Sequence, residues 1–244
     1  MSGHSKWETT HRQKEAVDAK RGAVFTKLGN IIAIAARGGL DPVMNPSLAV
    51  AIEKAKAANM PAANIQRAID RVADKNAAQL EEVLYEAYGP GGVGLIIEAA
   101  TDNKNRTYPE VRTAITKNGG NVAEPGSVSF GFEHKGVLRL KLSGQPANFT
   151  NPDDLLLQVL DCGADDADID DGDLTAYTGM KSLHEVRKNL MNAGLKIDDA
   201  NLEYVAKNPV NISGETVAKF EKLFDALDSL DDVTHVWTNA EIAE

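Results

Sequence analysis

GVLRLKL (136–142), NPDDLLLQVL (151–160), ADID (167–170), DLTAYT (173–178), SLHEVRKNLMNA (182–193) and KIDDANLEYV (196–205) follow one another along a single stretch of the 244-residue chain. The first, third, fourth and last carry β-branched and period-two patterns and read as strands. The second opens with Asn151-Pro152, an N-cap side chain followed by proline, and predicts a helix over 152–161. The fifth predicts a helix over 183–193, opened by the capping box Ser182-Leu-His-Glu185. The order is βαββαβ, a ferredoxin-like or split-βαβ arrangement.

Outward from this unit the pattern changes on both sides. Upstream, strands at 82–88 and 93–101 flank a glycine-rich GPGG, a helix at 107–118 ends on Gly119-Gly120, and a strand follows at 127–133. Downstream come a helix at 214–229 and a strand at 233–238. These last two elements lack partners of their own, and the upstream segment has strands to spare, so residues 135–205 read as an insert in a domain built from 81–134 plus 206–244. Residues 1–80 read as a basic helical domain, with helical patterning over 9–75. One stripe from Thr9 to Arg37 carries Val17, Val24, Phe25, Leu28, Ile31, Ile32 and Ala35, Asn45-Pro46 opens a second helix, and Met60-Pro61 opens a third with Ile65, Ala68, Ile69 and Val72 inward. The expected fold class is α+β: an N-terminal three-helix domain followed by two ferredoxin-like α/β domains, the last inserted into the middle one.

The net charge of −10 is unevenly spread. Residues 1–80 hold 12 Lys/Arg against 7 Asp/Glu, residues 81–134 hold 4 against 8, and residues 135–244 hold 10 against 21. Acidic bulk repels a polyanion, whereas a basic patch attracts phosphate within about a Debye length of 8–10 Å, so only the first third should face nucleic acid. A single cysteine, Cys162, forbids an intrachain disulfide and a multi-thiolate metal site and fits a reducing compartment. With no 18-residue apolar run and no secretory pattern at the N-terminus, the expected location is cytoplasmic, with no membrane partner.

Three motifs invite other chemistry and fail on context. Gly89-Pro-Gly91-Gly-Val-Gly94 matches a dinucleotide fingerprint in letters, but Leu95-Ile-Ile-Glu-Ala-Ala reads as a strand where that fingerprint needs a helix. The acidic run Asp165 to Asp173 puts Asp171 where a calcium loop needs glycine and Tyr177 where it needs glutamate, and reads as a hairpin. Ser2-Gly3-His4 offers nitrogen ligands to Cu(II) or Ni(II), as would any chain with histidine third. No nucleophile elbow, H-E-x-x-H or paired histidines appear, so the expectation is no enzyme, no cofactor and no metal.

On a helix running from Thr9, Arg12, Lys20 and Lys27 fall within an arc of about 80° and Lys14 and Arg21 on the other side of the apolar stripe. These cations either border a core-facing stripe with their long stems or contact phosphate from a rigid element, with Trp7 stacking on an unpaired base or plugging the core. Thr101-Asp-Asn-Lys-Asn-Arg106-Thr, between a strand and a helix, could hold an anion through Lys104, Arg106 and its amides, or could simply cap the helix.

GHSKW at the start, DAKRG at 18–22, FTKL at 25–28, YEAYGPGG at 85–92, TDNKNRT at 101–107, GGN at 119–121 and GSV at 126–128 together resemble the YebC family, in this order through most of the chain. That family includes the mitochondrial translational activator of cytochrome oxidase subunit one. The resemblance implies three domains, one helical and two α/β, and members are described as DNA-binding transcriptional regulators in some settings and as ribosome-associated translation factors in others. It places nucleic-acid contacts at Lys6, Lys14, Lys20, Arg21 and Lys27, with Lys104 and Arg106 as a second set; Trp7 and Arg12 join them from the helical reading. Two departures stand out: His11-Arg12-Gln13-Lys14 is one fixed cation poorer than the family's usual K-H-R-K, and Val205-Ala-Lys-Asn-Pro-Val departs from the usual Val-Pro pattern. The expectation is a non-enzymatic regulator of gene expression bound to DNA, with a ribosomal-RNA-binding translation factor as the alternative and an uncharacterised enzyme resting only on the loops near 89–94 and 101–107. The oligomeric state stays open.

Overall fold

The computed structural model describes residues 21–74, 78–146, 151–170 and 172–242. The chain is α+β and divides into two compact units, one Phe132–Val205 and the other running through Gly131 and resuming at Ala206.

The second of these begins with three helices, α1 (Arg21–Ala36), α2 (Pro46–Ala57) and α3 (Ala62–Ala73). Ile32, Ala36, Leu48, Ala51, Ala55, Met60, Ile65 and Ile69 form their common core, with Ala68 and Val72 packed against it. Asn45 explains the sharp turn between the first two. Its side-chain oxygen accepts from the Leu48 N–H at 3.1 Å and its amide nitrogen donates to the carbonyls of Ala35 and Gly39 at 2.7 and 2.8 Å, so one buried side chain starts α2 and ties off α1.

The same unit continues with β1 (Glu81–Tyr88), β2 (Gly94–Thr101), α4 (Lys104–Lys117) and β3 (Asn121–Ala123). Glycines 91 and 92, both at positive φ near 80°, make the turn between β1 and β2, which pair antiparallel from Glu81↔Thr101 to Tyr88↔Gly94. A side chain could not replace the first glycine, because its Cβ would lie 2.9 Å from Thr216 Cγ2 and 3.0 Å from Ile212 Cγ2. The G-x-G-x-x-G letters therefore belong to a hairpin.

The other compact unit holds β4 (Phe132–Lys141), α5 (Pro152–Asp161), β5 (Asp166–Asp170), β6 (Asp173–Gly179), α6 (Leu183–Asn192) and β7 (Asp199–Ala206). Its sheet runs β5-β6-β4-β7, the second, third, first and fourth strands of the unit, which is the ferredoxin-like order. The acidic run turns between Asp170 and Asp173, with Gly172 at φ +84°. Leu138, Leu140, Leu155, Val159, Leu174, Ala176, Val186 and Leu190 fill the layer between helices and sheet.

After the insert come β8 (Val210–Ile212), α7 (Glu215–Asp228), β9 (Val233–Thr238) and β10 (Ala240–Ile242); β8 and β10 pair with each other in a separate parallel ribbon, and β9 completes the first sheet. The strand order is β3-β1-β2-β9. If β2-α4-β3 is taken as the opening half of a ferredoxin-like sheet and α7-β9 as its close, β1 occupies the place of the third strand, displaced to the front of the sequence. Val111 and Ile115 of α4 and Phe220, Leu223 and Leu227 of α7 cover one face against Leu95, Ile97, Val233 and Val236.

Four sequence expectations need correction. The strand expected at 127–133 is absent as far as Gly131; a single turn at Ser129–Gly131 leads into β4, which runs unbroken from Phe132. The short β3 and the parallel pair β8–β10 were not foreseen. The helix placed at 107–118 begins at Lys104, because Asn103 caps it by accepting from the Arg106 N–H at 3.2 Å. Ser182 sits in the helical region and makes no side-chain cap, so the capping box does not form.

Candidate nucleic-acid interface

Lys6, Trp7, Arg12, Lys14 and Lys20 lie outside the described residues. Arg21 opens α1. Lys27 is the first of the expected cations whose side chain is described, and it is turned inward: the side chain is 13 % exposed and its ammonium meets the Asp228 carboxylate at 2.5 Å. Close by, Asn30 Nδ2 donates to the Asp231 carbonyl at 3.4 Å. These contacts join α1 to the end of α7 and to the turn before β9, so Lys27 serves as a tie between helices and sheet.

The TDNKNRT segment has a similar internal economy. Asp232, at the foot of β9, is its centre. One Arg106 Nη2 reaches both Asp232 carboxylate oxygens at 3.0 and 2.7 Å, Thr107 Oγ1 donates at 2.6 Å, and Thr101 Oγ1 lies 3.2 Å away. Both threonines are 1 % exposed. Burial alone would push the Asp232 carboxyl up; hydrogen bonds from Arg106, Thr107 and Thr101 and the guanidinium charge hold it below the ordinary carboxylate range. The chain of pairs continues outward, since Asp102 accepts from Arg106 at 3.4 Å and from Arg71 of α3 at 3.0 Å. Lys104 pairs with Glu81 at 2.5 Å, both side chains more than half exposed, a pair of small energetic weight. Arg106 and Lys104 thus sit together at the start of α4, each engaged by a carboxylate.

The GSV segment also has a defined job. Glu86 of β1, 9 % exposed, accepts from the N–H groups of Gly126, Val128 and Ser129 at 2.7, 2.6 and 2.9 Å. Burial raises this carboxyl, but the three amides outweigh it and lower its pKa. The amide nest that could have held an external anion is filled by the protein's own carboxylate.

What remains on the surface of the helical part is a set of cations, most of them at helix ends, with Arg67 midway along α3. Arg37, Lys56 and Arg67 are exposed and Arg71 is half-buried. Arg37 follows the last turn of α1 and donates to the Leu80 carbonyl at 3.2 Å, and Arg67 donates to Asn64 at 3.0 Å. Sequence reasoning counted Arg67 and Arg71 only toward local charge and gave Arg37 no role; nothing local signals that a helix-terminal arginine will meet the approach to β1 some forty residues later. Among the described residues no cluster of His, Cys, Asp and Glu could hold a metal ion, and no helix is long and apolar enough to cross a membrane.

Comparison with known proteins agrees with this organisation. Residues 5–75 match the model of the TACO1/YebC protein N-terminal domain, and residues 80–240 match that of the TACO1/YebC second and third domain. A probable transcriptional regulatory protein of Roseiflexus castenholzii is 47 % identical over 99 % of this chain and 96 % of its own. One of the same description from Bifidobacterium longum is 49 % identical over 98 % of this chain and 94 % of its own. The crystal structure of a conserved hypothetical protein from Aquifex aeolicus superposes with a TM-score of 0.85 at 42 % identity, covering 95 % of this chain and 94 % of that one. With both family models matched along nearly the whole sequence, the chain belongs to the TACO1/YebC family.

Proposed function

We propose that this protein is a non-catalytic regulator of gene expression, working in the cytoplasm, that binds nucleic acid through its basic helical third. The observation that carries the reading is the charge division: residues 1–80 hold 12 cations against 7 anions in a chain whose net charge is −10. Such a molecule approaches a polyanion in one orientation, because its acidic remainder is repelled. The names of its relatives, transcriptional regulatory proteins, support duplex DNA as the target.

Ribosomal RNA, and a role in translation, is the second reading, and a specific feature favours it. Lys27 and Arg106 are engaged by Asp228 and Asp232, and the other cations described in the helical part are spread over three helices, Arg37 just after α1, Lys56 on α2 and Arg67 and Arg71 on α3. Base reading in a major groove wants a helix presenting several side chains together, whereas structured RNA is recognised largely through shape and backbone.

Gradient co-sedimentation of the purified protein with ribosomes, with excess duplex DNA as competitor, separates the two. Co-migration that survives the competitor and is lost in a Lys20→Glu/Arg21→Glu variant supports the ribosomal reading. Protein stripped off by duplex supports DNA. Protein that binds neither ribosomes nor duplex at low salt overturns both.

A further inference from the structure

Arg37 and Arg71 share more than their positions at helix ends. Together with Gln79 they line a cavity of about 230 Å³ whose remaining wall includes Ala33, Val72 and Leu80. Drug-sized ligands occupy pockets of roughly 300–1,000 Å³, so this one admits something small. Arg37 donates to the Leu80 carbonyl and Arg71 to Asp102. A guanidinium has five N–H donors, so both keep donors for an incoming group. The Gln79 amide can both donate and accept, and the apolar side chains supply a dry wall.

We infer that this pocket takes a single unpaired nucleotide, its base against the Ala33, Val72 and Leu80 wall and its phosphate within reach of the Arg37 and Arg71 guanidinium groups. The chemistry fits in each part. Arginine holds phosphate in fork geometry and also stacks on base planes, and unstacked bases are the usual target of specific recognition in folded RNA. A base leaves a duplex at least cost where it is already unpaired, so a bulge or loop is the natural donor. The inference rests on the nucleic-acid-binding reading above and adds to it a reason for preferring irregular over fully paired strands.

The test compares equilibrium binding of the full chain to fluorescein-labelled hairpins that are fully paired or carry one bulged nucleotide, in RNA and in DNA. Tighter binding of the bulged probe, by about tenfold in at least one backbone, is expected, and the backbone showing it identifies the source. Ala78→Trp fills the cavity, which Ala78 also lines, without altering a charge. It should abolish the preference and leave binding of the paired probe within twofold. If that variant melts early, Arg37→Met serves instead, and should weaken the bulged probe at least threefold more than the paired one. Equal binding of paired and bulged probes by the wild type, or a preference that survives the variant, overturns the pocket assignment alone. Failure to bind any probe overturns it together with the functional reading.

Discussion

Replacing Glu86 by alanine should cost the unit that contains β1 about 3 kcal/mol. The side chain is 9 % exposed and accepts three backbone N–H bonds, from Gly126, Val128 and Ser129. Removing it strands the Val128 amide, whose residue is 4 % exposed, at about 1–3 kcal/mol for an orphaned buried donor. Gly126 and Ser129 lie nearer solvent, so water recovers most of their bonds and they add about 1 kcal/mol together. At roughly 2–4 °C per kcal/mol for a unit of this size, the midpoint should fall by about 6–12 °C. Glu86→Gln retains the volume and one acceptor oxygen, and should cost about half as much. The carboxyl is held below its ordinary value of 4.5, so its contribution is fully present above that pH and is lost as pH falls through the lower folded value. The gap between wild type and Glu86→Gln should therefore be flat above about pH 5.5 and close on acidification. Urea and thermal melts across pH measure both. A cost below 1 kcal/mol for the alanine variant, or a gap that widens toward low pH, would refute the account of the amide nest.

Three further outcomes follow from particular contacts. Lys27→Met should lower stability by about 1–2 kcal/mol, since Asp228 is only partly exposed, while leaving the salt dependence of nucleic-acid binding unchanged; Arg67→Gln should do the reverse, reducing the slope of log K against log salt by about 0.7–0.9. A salt slope that falls with Lys27→Met shows that its ammonium reaches phosphate after all. Gly136→Ala places a Cβ 2.8 Å from Thr178 Cγ2 and 2.9 Å from Leu183 Cβ, pressing α6 off its sheet, so calorimetry should show the unit Phe132–Val205 melting earlier by about 1–3 kcal/mol. His184, whose pKa is lowered by burial and by the Arg187 charge, should titrate below the ordinary histidine value of 6.5 when followed by proton NMR, and a midpoint at or above 6.5 contradicts its placement.

The elements most legible in the sequence were those specified locally. Asn45-Pro46 and Asn151-Pro152 open helices as capping chemistry requires, and Asn45 and Asn151 both accept from a helix amide. The alternation within 136–205 was enough to order six elements. What the sequence hid depends on partners far away in the chain. GSVSFGFE has the apolar spacing of a strand, yet Glu86, forty residues earlier, captures the amides of 126, 128 and 129 and leaves them unavailable to a ladder. The sequence left Lys27 either bordering the apolar stripe or contacting phosphate, and only its meeting with Asp228, 201 residues on, turns it inward. Arg106 meets Asp232 across 126 residues in the same way. The very short β3, β8 and β10, three residues each, carry too little pattern to be read without the strands they pair with.

The displaced first strand of the permuted sheet has a consequence for synthesis. β1 and β2 emerge from the ribosome early, but the outer edge of β2 pairs only with β9, where Ile96 meets Trp237 and Ile97 meets Val236. The intervening chain, including the whole Phe132–Val205 unit, must be translated first, which takes roughly 7–26 s at bacterial-range elongation rates of about 5–20 residues per second. During that interval an apolar strand edge stands open, a template for pairing with other nascent chains. The insert, whose strands pair within its own span, can fold while the surrounding sheet waits. Loss of the final strands in a prematurely terminated product would thus leave one folded unit attached to an unclosed, aggregation-prone sheet.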